Sequence, residues 1–301
     1  MAPSLYDTRL EEHRRLIEES MERFLLRTDE AVPPELNRAM RYACEAGGKR
    51  IRPVLTLEFC RLCGGDPQQA LPFAWAIEMI HSYSLAHDDL PCMDNSPMRR
   101  GRPSAHAAFG ESLALLAGDG LLTLAFEVMA DAARKEMAPR SALEAVYVLA
   151  RAAGDCGMVG GQVIDLQSEG KAISIGTLER LQEGKTAALL KAACVLGCLA
   201  ADEHPDSARI RAADSFGEGI GLSFQIVDDI LDVISTSEAL GKPAGSDEEN
   251  CKATYVSLMG LDQARWMARS RTDQAVEALS VFGKEADSLR LLAENLLTRQ
   301  N

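Results

Sequence analysis

The chain has 301 residues and a formal net charge of −13, from 45 Asp and Glu against 32 Lys and Arg. That balance excludes a nucleic-acid binder, which needs a cationic face to displace counterions, and it disfavours adhesion to an anionic membrane. Hydrophobic residues at 47% and charged residues at 26% mark a globular chain rather than a disordered one.

In chain order, Met1 to Glu30 is charged throughout and lacks the apolar core of a signal peptide, so a cytoplasmic location is expected. Pro33-Pro34 opens a helix with apolar positions at Leu36, Met40, Ala43 and Cys44, and Gly47-Gly48 ends it. Pro53 starts the next helix, which closes at Gly64-Gly65, and Asp66-Pro67 caps another. From Leu71 to Asp88 the positions Ala74, Ile77, Ile80 or His81, Ser84 and Asp88 follow one helical face. Long helical segments are expected over 111–135, 141–169, 177–201, 207–235 and 253–300. No alternating β pattern, βαβ rhythm, repeat or low-complexity linker divides the chain. One all-helical domain over 1–301 is the expectation.

The longest apolar runs are broken by Asp119 or Lys191 and fall short of the roughly 20 residues a bilayer span needs, so no membrane anchor is expected. Eight cysteines are scattered through a chain large enough to build its own core and read as reduced thiols. Cys60 and Cys63 form a CxxC with no second Cys or His pair at zinc spacing, so packing is the reading there.

Two acidic clusters stand out: His87-Asp88-Asp89-Leu90-Pro91-Cys92-Met93-Asp94 and Asp228-Asp229-Ile230-Leu231-Asp232. In the second, Gln225, Asp228 and Asp232 are spaced i, i+3, i+7 and share one helix face among apolar neighbours. Carboxylates in such a setting are costly to bury and repel one another; a divalent cation resolves both problems. Hard oxygen ligands with room for water and phosphate suit Mg²⁺ better than zinc. In the first cluster Pro91 ends or bulges the helix near Leu90 and lets Asp94 swing back toward the site.

The cations complement the acids. Gly47-Gly48-Lys49-Arg50-Ile51-Arg52-Pro53 is a glycine-loosened turn from which backbone amides and basic side chains can converge on an anion. Arg99-Arg100-Gly101-Arg102-Pro103 repeats the idea after the first acidic cluster, and Lys185-Thr186, Lys242 and Lys252 add further cations. Metal-binding carboxylates with two separate cationic turns imply substrates carrying more than one polyphosphate.

GGKRIRP, DDLPCMD followed by RRGRP, GGQVIDL, KT, FQIVDDILD and LGKPAGSD…KATY occur in the order found in trans-isoprenyl diphosphate (polyprenyl) synthases. The chain resembles that family from about residue 35 to its C-terminus, most closely the bacterial farnesyl diphosphate synthases. The resemblance implies a single large helical bundle around a central substrate cavity, and a cytoplasmic homodimer. It also implies a prenyltransferase of isoprenoid biosynthesis, acting on small-molecule diphosphates. About three Mg²⁺ ions, with Mn²⁺ the alternative, are implied on Asp88, Asp89, Asp94, Asp228 and Asp232. Arg99, Lys185, Thr186, Gln225 and Lys242 are implied to grip an allylic diphosphate, and Gly48, Lys49, Arg52, His81 and Arg100 to bind isopentenyl diphosphate.

The implied reaction ionises the allylic diphosphate and condenses the cation with isopentenyl diphosphate. It needs no protein nucleophile, which fits the absence of a Ser/His/Asp or Cys/His arrangement. Tyr83, with Ser84 beside it and the Pro91-Cys92 insertion, resembles the floor of enzymes that stop at fifteen carbons, (2E,6E)-farnesyl diphosphate. Ser96-Pro97, Glu183-Gly184 and Ser246 depart from the family pattern beside the inferred site, and His106, Asp119 and Asp165 read as structural. The alternatives are a geranylgeranyl or geranyl diphosphate synthase of the same fold and a non-catalytic prenyltransferase subunit. A class I terpene cyclase would not need GGKRIRP or the Arg99-Arg100 pair.

Overall fold

Proline and glycine break the chain into helices much where the sequence places them. The structure, a computed structural model, describes residues 6–26, 29–234 and 253–299. In order these are α1 (Thr8–Leu25), α2 (Pro34–Cys44), α3 (Ile51–Leu62) and α4 (Pro67–Asp88); a hairpin of β1 (Met98–Arg99) and β2 (Arg102–Pro103); then α5 (Ala105–Phe109), α6 (Glu111–Glu136), α7 (Pro139–Ala153), α8 (Met158–Ser168), α9 (Ile175–Gln182) and α10 (Ala188–Ala200). After them come α11 (Ala208–Ile234), α12 (Tyr255–Met259), α13 (Leu261–Ala278) and α14 (Asp287–Thr298). The fold class is all-α; the two-residue strands are the exception among the described residues.

Several boundaries differ from expectation for local reasons. The segment expected over 141–169 is two helices, because the chain turns at residues 154–157, where Gly157 has φ −132° and ψ −122°. The stretch after 253 is broken at Gly260 (φ 82°) and Gly283 (φ 58°), conformations that L side chains rarely adopt. A one-turn π-helix, Glu183–Ala187, interrupts the helix expected over 177–201. Asp66 caps α4 as its position suggests, its Oδ1 accepting from the Gln68 amide at 2.9 Å.

The chain divides into two compact units. One comprises Glu11–Val146 and Leu196–Glu203. Its axis is α4, buried on every face from Ala70 to Ile80, which packs against α3 and α6. Trp75 is fully buried and donates its indole N–H to Ser20 Oγ at 2.9 Å. In the same unit Glu58, with no exposed surface, is held by His13 at 3.0 Å and Arg61 at 2.9 Å. α6 is long and apolar enough to cross a membrane by length and composition alone, a property that a buried core helix shares. Inside the unit it is a packing helix, with Ala114, Ala117, Leu121, Leu124, Ala125 and Met129 buried.

The other unit comprises Met1–Leu10, Tyr147–Val195 and His204–Asn301. Here α11 packs against α13 and the π-helical turn. Ile226, Val227, Ile230 and Leu231 face a core shared with Leu178, Tyr255, Ala264 and Ala268. Among the described residues Cys44, Cys60, Cys63, Cys92, Cys156, Cys194 and Cys198 are free thiols.

Candidate active site

The first unit assembles a cationic cradle from three elements. Gly47 (φ 75°), Gly48 (φ 126°) and Arg50 (φ 51°) bend the chain between α2 and α3. A Cβ on Gly48 would lie 2.5 Å from Arg100 Nη1, so the missing side chain is what lets that guanidinium approach. Arg100 and Gly101 both have positive φ (52° and 77°) at the two-residue turn between β1 and β2, the pattern of a tight hairpin turn. The hairpin sends neighbouring arginines apart. Arg99 binds the Asp89 carboxylate through Nε (3.1 Å to each oxygen) and through Nη2. Arg100 donates to the Gly47 carbonyl and lies 3.5 Å from His81 Nε2.

Charge accumulates in this cradle. Burial and the guanidiniums of Arg52, Arg100, Arg50 and Arg99 hold His81 well below its ordinary 6.5, so the ring is neutral near pH 7. Burial and Arg100 push Arg52 down to about 10, against the opposing pull of Glu78. Arg52 Nε is buried with no hydrogen-bond partner. A buried donor in a positive pocket is costly until an anion arrives.

Two helical turns beyond His81, α4 ends in the acidic cluster. The Asp94 amide donates to the Asp88 carbonyl at 2.9 Å, so the turn through Pro91 folds back as the sequence suggested. Asp88 is half-buried, Asp89 is buried on Arg99, and Asp94 is exposed. Tyr83 is buried and meets the His87 ring edge-on at 5.6 Å. Burial, with the nearby Asp88 charge, raises its phenol to about 12, leaving it neutral. Ser84 Oγ donates to the His81 carbonyl at 2.9 Å.

The second unit holds a separate polar cavity of about 160 Å³, lined by Asp165, Lys185, Thr186, Gln225, Asp229 and Thr254 among others. Lys185 projects from the π-helical turn, and its Nζ lies 2.5 Å from Asp165 Oδ2. A Cβ on Gly161 would stand 2.1 Å from the Lys185 amide nitrogen, so GGQVIDL is the smooth surface on which that turn rests. Thr186 Oγ1 donates to Gln225 Oε1 at 3.1 Å. Asp228 is paired with Arg299 at 2.7 Å, and Arg299 lies over the Phe224 ring at 4.0 Å. Asp229 instead accepts the Tyr255 amide at 2.7 Å, a structural role, and Asp232 is buried. Lys242, Lys252 and Ser246 lie outside the described residues.

Glu78 and Arg299 carry no signal of a site role by residue type alone, and Arg50 reads only as one cation of its turn. Glu78 is signalled by its isolation, a lone acid in the apolar run from Phe73 to Ile80. Asp165 reads as structural by sequence, and in the structure its partner is Lys185.

The donor chemistry fits a hard divalent cation: carboxylate oxygens, partly buried, with guanidiniums on Asp89 and Asp228 as charge partners. Among the described residues no three His, Cys, Asp or Glu converge closely enough to cage an ion unaided.

Residues 33–291 match the polyprenyl synthetase family profile. The chain belongs to the polyprenyl synthetase family. As a polyprenyl synthetase it is a prenyltransferase. It is 44% identical to a farnesyl diphosphate synthase of Geobacillus stearothermophilus over 97% of each chain. It is also 41% identical to a geranylgeranyl diphosphate synthase of Cyanophora paradoxa, over 98% of this chain and 96% of that one. Among solved structures it resembles an FPP/GFPP synthase from Zymomonas mobilis with a TM-score of 0.83 and 38% identity, over 97% of this chain and 98% of that one.

Proposed function

We propose that this polyprenyl synthetase condenses isopentenyl diphosphate head-to-tail with dimethylallyl and then geranyl diphosphate, giving (2E,6E)-farnesyl diphosphate and pyrophosphate. The observation that carries the reading is a cationic cradle around His81, with Arg52 Nε buried and unpartnered in it, and an acidic cluster two turns further along α4. A neutral His81, Lys49, Arg52 and Arg100, with the backbone at Gly48, receive the isopentenyl diphosphate. Arg99, Lys185, Thr186, Gln225 and Lys242 grip the allylic diphosphate, and Asp88, Asp89, Asp94, Asp228 and Asp232 hold Mg²⁺. Bound Mg²⁺ supplies neutralisation of the charge that grows on the departing pyrophosphate. Arg99 and Lys185, fixed by Asp89 and Asp165, are preorganised for the same charge. The isopentenyl double bond then attacks the allylic cation, and a proton leaves to the released pyrophosphate.

A fifteen-carbon product is supported by buried Tyr83 beside the acidic cluster and by the Geobacillus likeness. The Cyanophora relative favours a second reading, a twenty-carbon synthase with a deeper pocket. Leu115 and Leu116, 45% and 55% exposed on α6, suit burial against a second copy. The test is Mg²⁺-dependent release of pyrophosphate from geranyl and isopentenyl diphosphates, with product length read by chromatography. Turnover by the intact protein, abolished by Asp88→Ala, is the expected result; no turnover by the intact protein would favour a non-catalytic subunit.

A further inference from the structure

We infer that Glu78, a residue that cannot itself touch a diphosphate, is the positioning residue that shapes the isopentenyl diphosphate cradle. This rests on the proposed function and names a part of the site which that reading leaves unassigned. Glu78 lies on α4 one turn before His81 and is 2% exposed. Its Oε1 accepts from Arg50 Nη1 at 2.6 Å. The rest of the Arg50 guanidinium is engaged as well: Nε donates to Glu18 Oε1 at 2.8 Å and Nη2 to the Cys44 carbonyl at 2.9 Å. Every nitrogen of Arg50 is therefore turned into the protein, and none is offered to a ligand.

The backbone gives that pairing its consequence. Arg50 precedes the first turn of α3 in the left-handed region, φ 51° and ψ 35°. A non-glycine residue holds that conformation only where its surroundings impose it. Lys49 precedes it and Arg52 follows two residues on, so the conformation at residue 50 sets where both cradle cations point. Glu78, through Arg50, is what imposes it.

The same carboxylate acts on the cradle through its field. Burial and neighbouring cations work against the charge on Arg52 and Arg100, and Glu78 works for it in both. Like charges gathered without a counter-charge would splay apart. Glu78 is placed behind the cradle to offset them without competing for their donors.

Charge alone predicts the opposite of geometry when this residue is neutralised, and the experiment exploits that. Removing a negative charge would tighten anion binding; loss of the Arg50 anchor would weaken it. The measurement compares wild type with Glu78→Gln. Calorimetry reads isopentenyl diphosphate binding in the absence of an allylic partner, and steady-state kinetics reads KM for each substrate. The expected result is about tenfold weaker isopentenyl diphosphate binding, a loss of about 1.4 kcal/mol, with KM for geranyl diphosphate changed less than twofold. Arg50→Lys, which keeps the charge but cannot fork to three acceptors, is expected to give the same split and carries the test if Glu78→Gln does not fold. Unchanged or tighter isopentenyl diphosphate binding, or an equal rise in both KM values, would overturn the inference. Wild-type protein that neither binds nor turns over these diphosphates would instead refute the proposed function.

Discussion

Gly161→Ala is the substitution for which the structure makes the sharpest demand. The new methyl would meet the Lys185 amide nitrogen at 2.1 Å, the Gly184 carbonyl carbon at 2.7 Å and the Lys185 Cα at 2.8 Å. All three are backbone atoms, so no side chain can rotate out of the way, and reaching an ordinary contact of roughly 3.5 Å needs a shift of more than an ångström. Overpacking of this kind costs about 3 kcal/mol. With an unfolding entropy of about 2.1 cal/mol/K per residue, that cost lowers Tm by roughly 5 °C for a chain of this length. The same shift carries Lys185 away from Asp165, so KM for the allylic diphosphate rises while KM for isopentenyl diphosphate holds. Scanning calorimetry and two-substrate kinetics read the two effects. A variant with Tm within 1 °C of wild type (roughly a fifth of the expected shift) and both KM values unchanged would refute the contact as the reason for the glycine.

Glu58→Gln removes a fully buried carboxylate from between His13 and Arg61 and is expected to cost about 3 kcal/mol in denaturant titration near pH 7. Burial raises the Glu58 pKa, but His13 and Arg61 outweigh it and hold it below 4.5. The stability it contributes is therefore present above its unfolded pKa and lost as pH falls through the folded one, so the gap between wild type and variant should close below pH 4.5 and persist at pH 7. Tyr83→Ala should lengthen the product beyond fifteen carbons, read by chromatography of the dephosphorylated alcohols; a variant making only farnesol would sink the assignment of Tyr83 as the floor.

Much of the architecture is legible in the sequence because helix punctuation is local. Pro34, Asp66 and Pro67 act within one turn of where they stand, and so does Gly47. The acidic fold-back is legible for the same reason, since Pro91 forces it. What escapes is long-range or lacks a pattern. The charged face of α1 hides a helix whose apolar positions, Leu10 and Ile17, are buried only once the chain has folded. The π-helical turn depends on Gly161, more than twenty residues before Lys185. Glu78 and Arg50 are a pair only in space, 28 positions apart. A reading by residue type sends both to solvent or to the ligand, whereas burial decides that they bind each other.

His81 and Asp88 lie on the same α-helix, seven residues apart, with continuous helix between them. At 1.5 Å per residue, that is roughly 10 Å of rigid rod. The helix thus acts as a gauge block. On the proposed function, it would hold the place where one diphosphate is received at a set remove from the place where the other is activated, whatever hydrocarbon is attached to either. A lineage could deepen or fill the space beside Tyr83 and change how long a product grows without resetting the approach of the reacting carbons. Product length and reactivity would then vary independently, the first by side-chain replacement and the second only by rebuilding a helix.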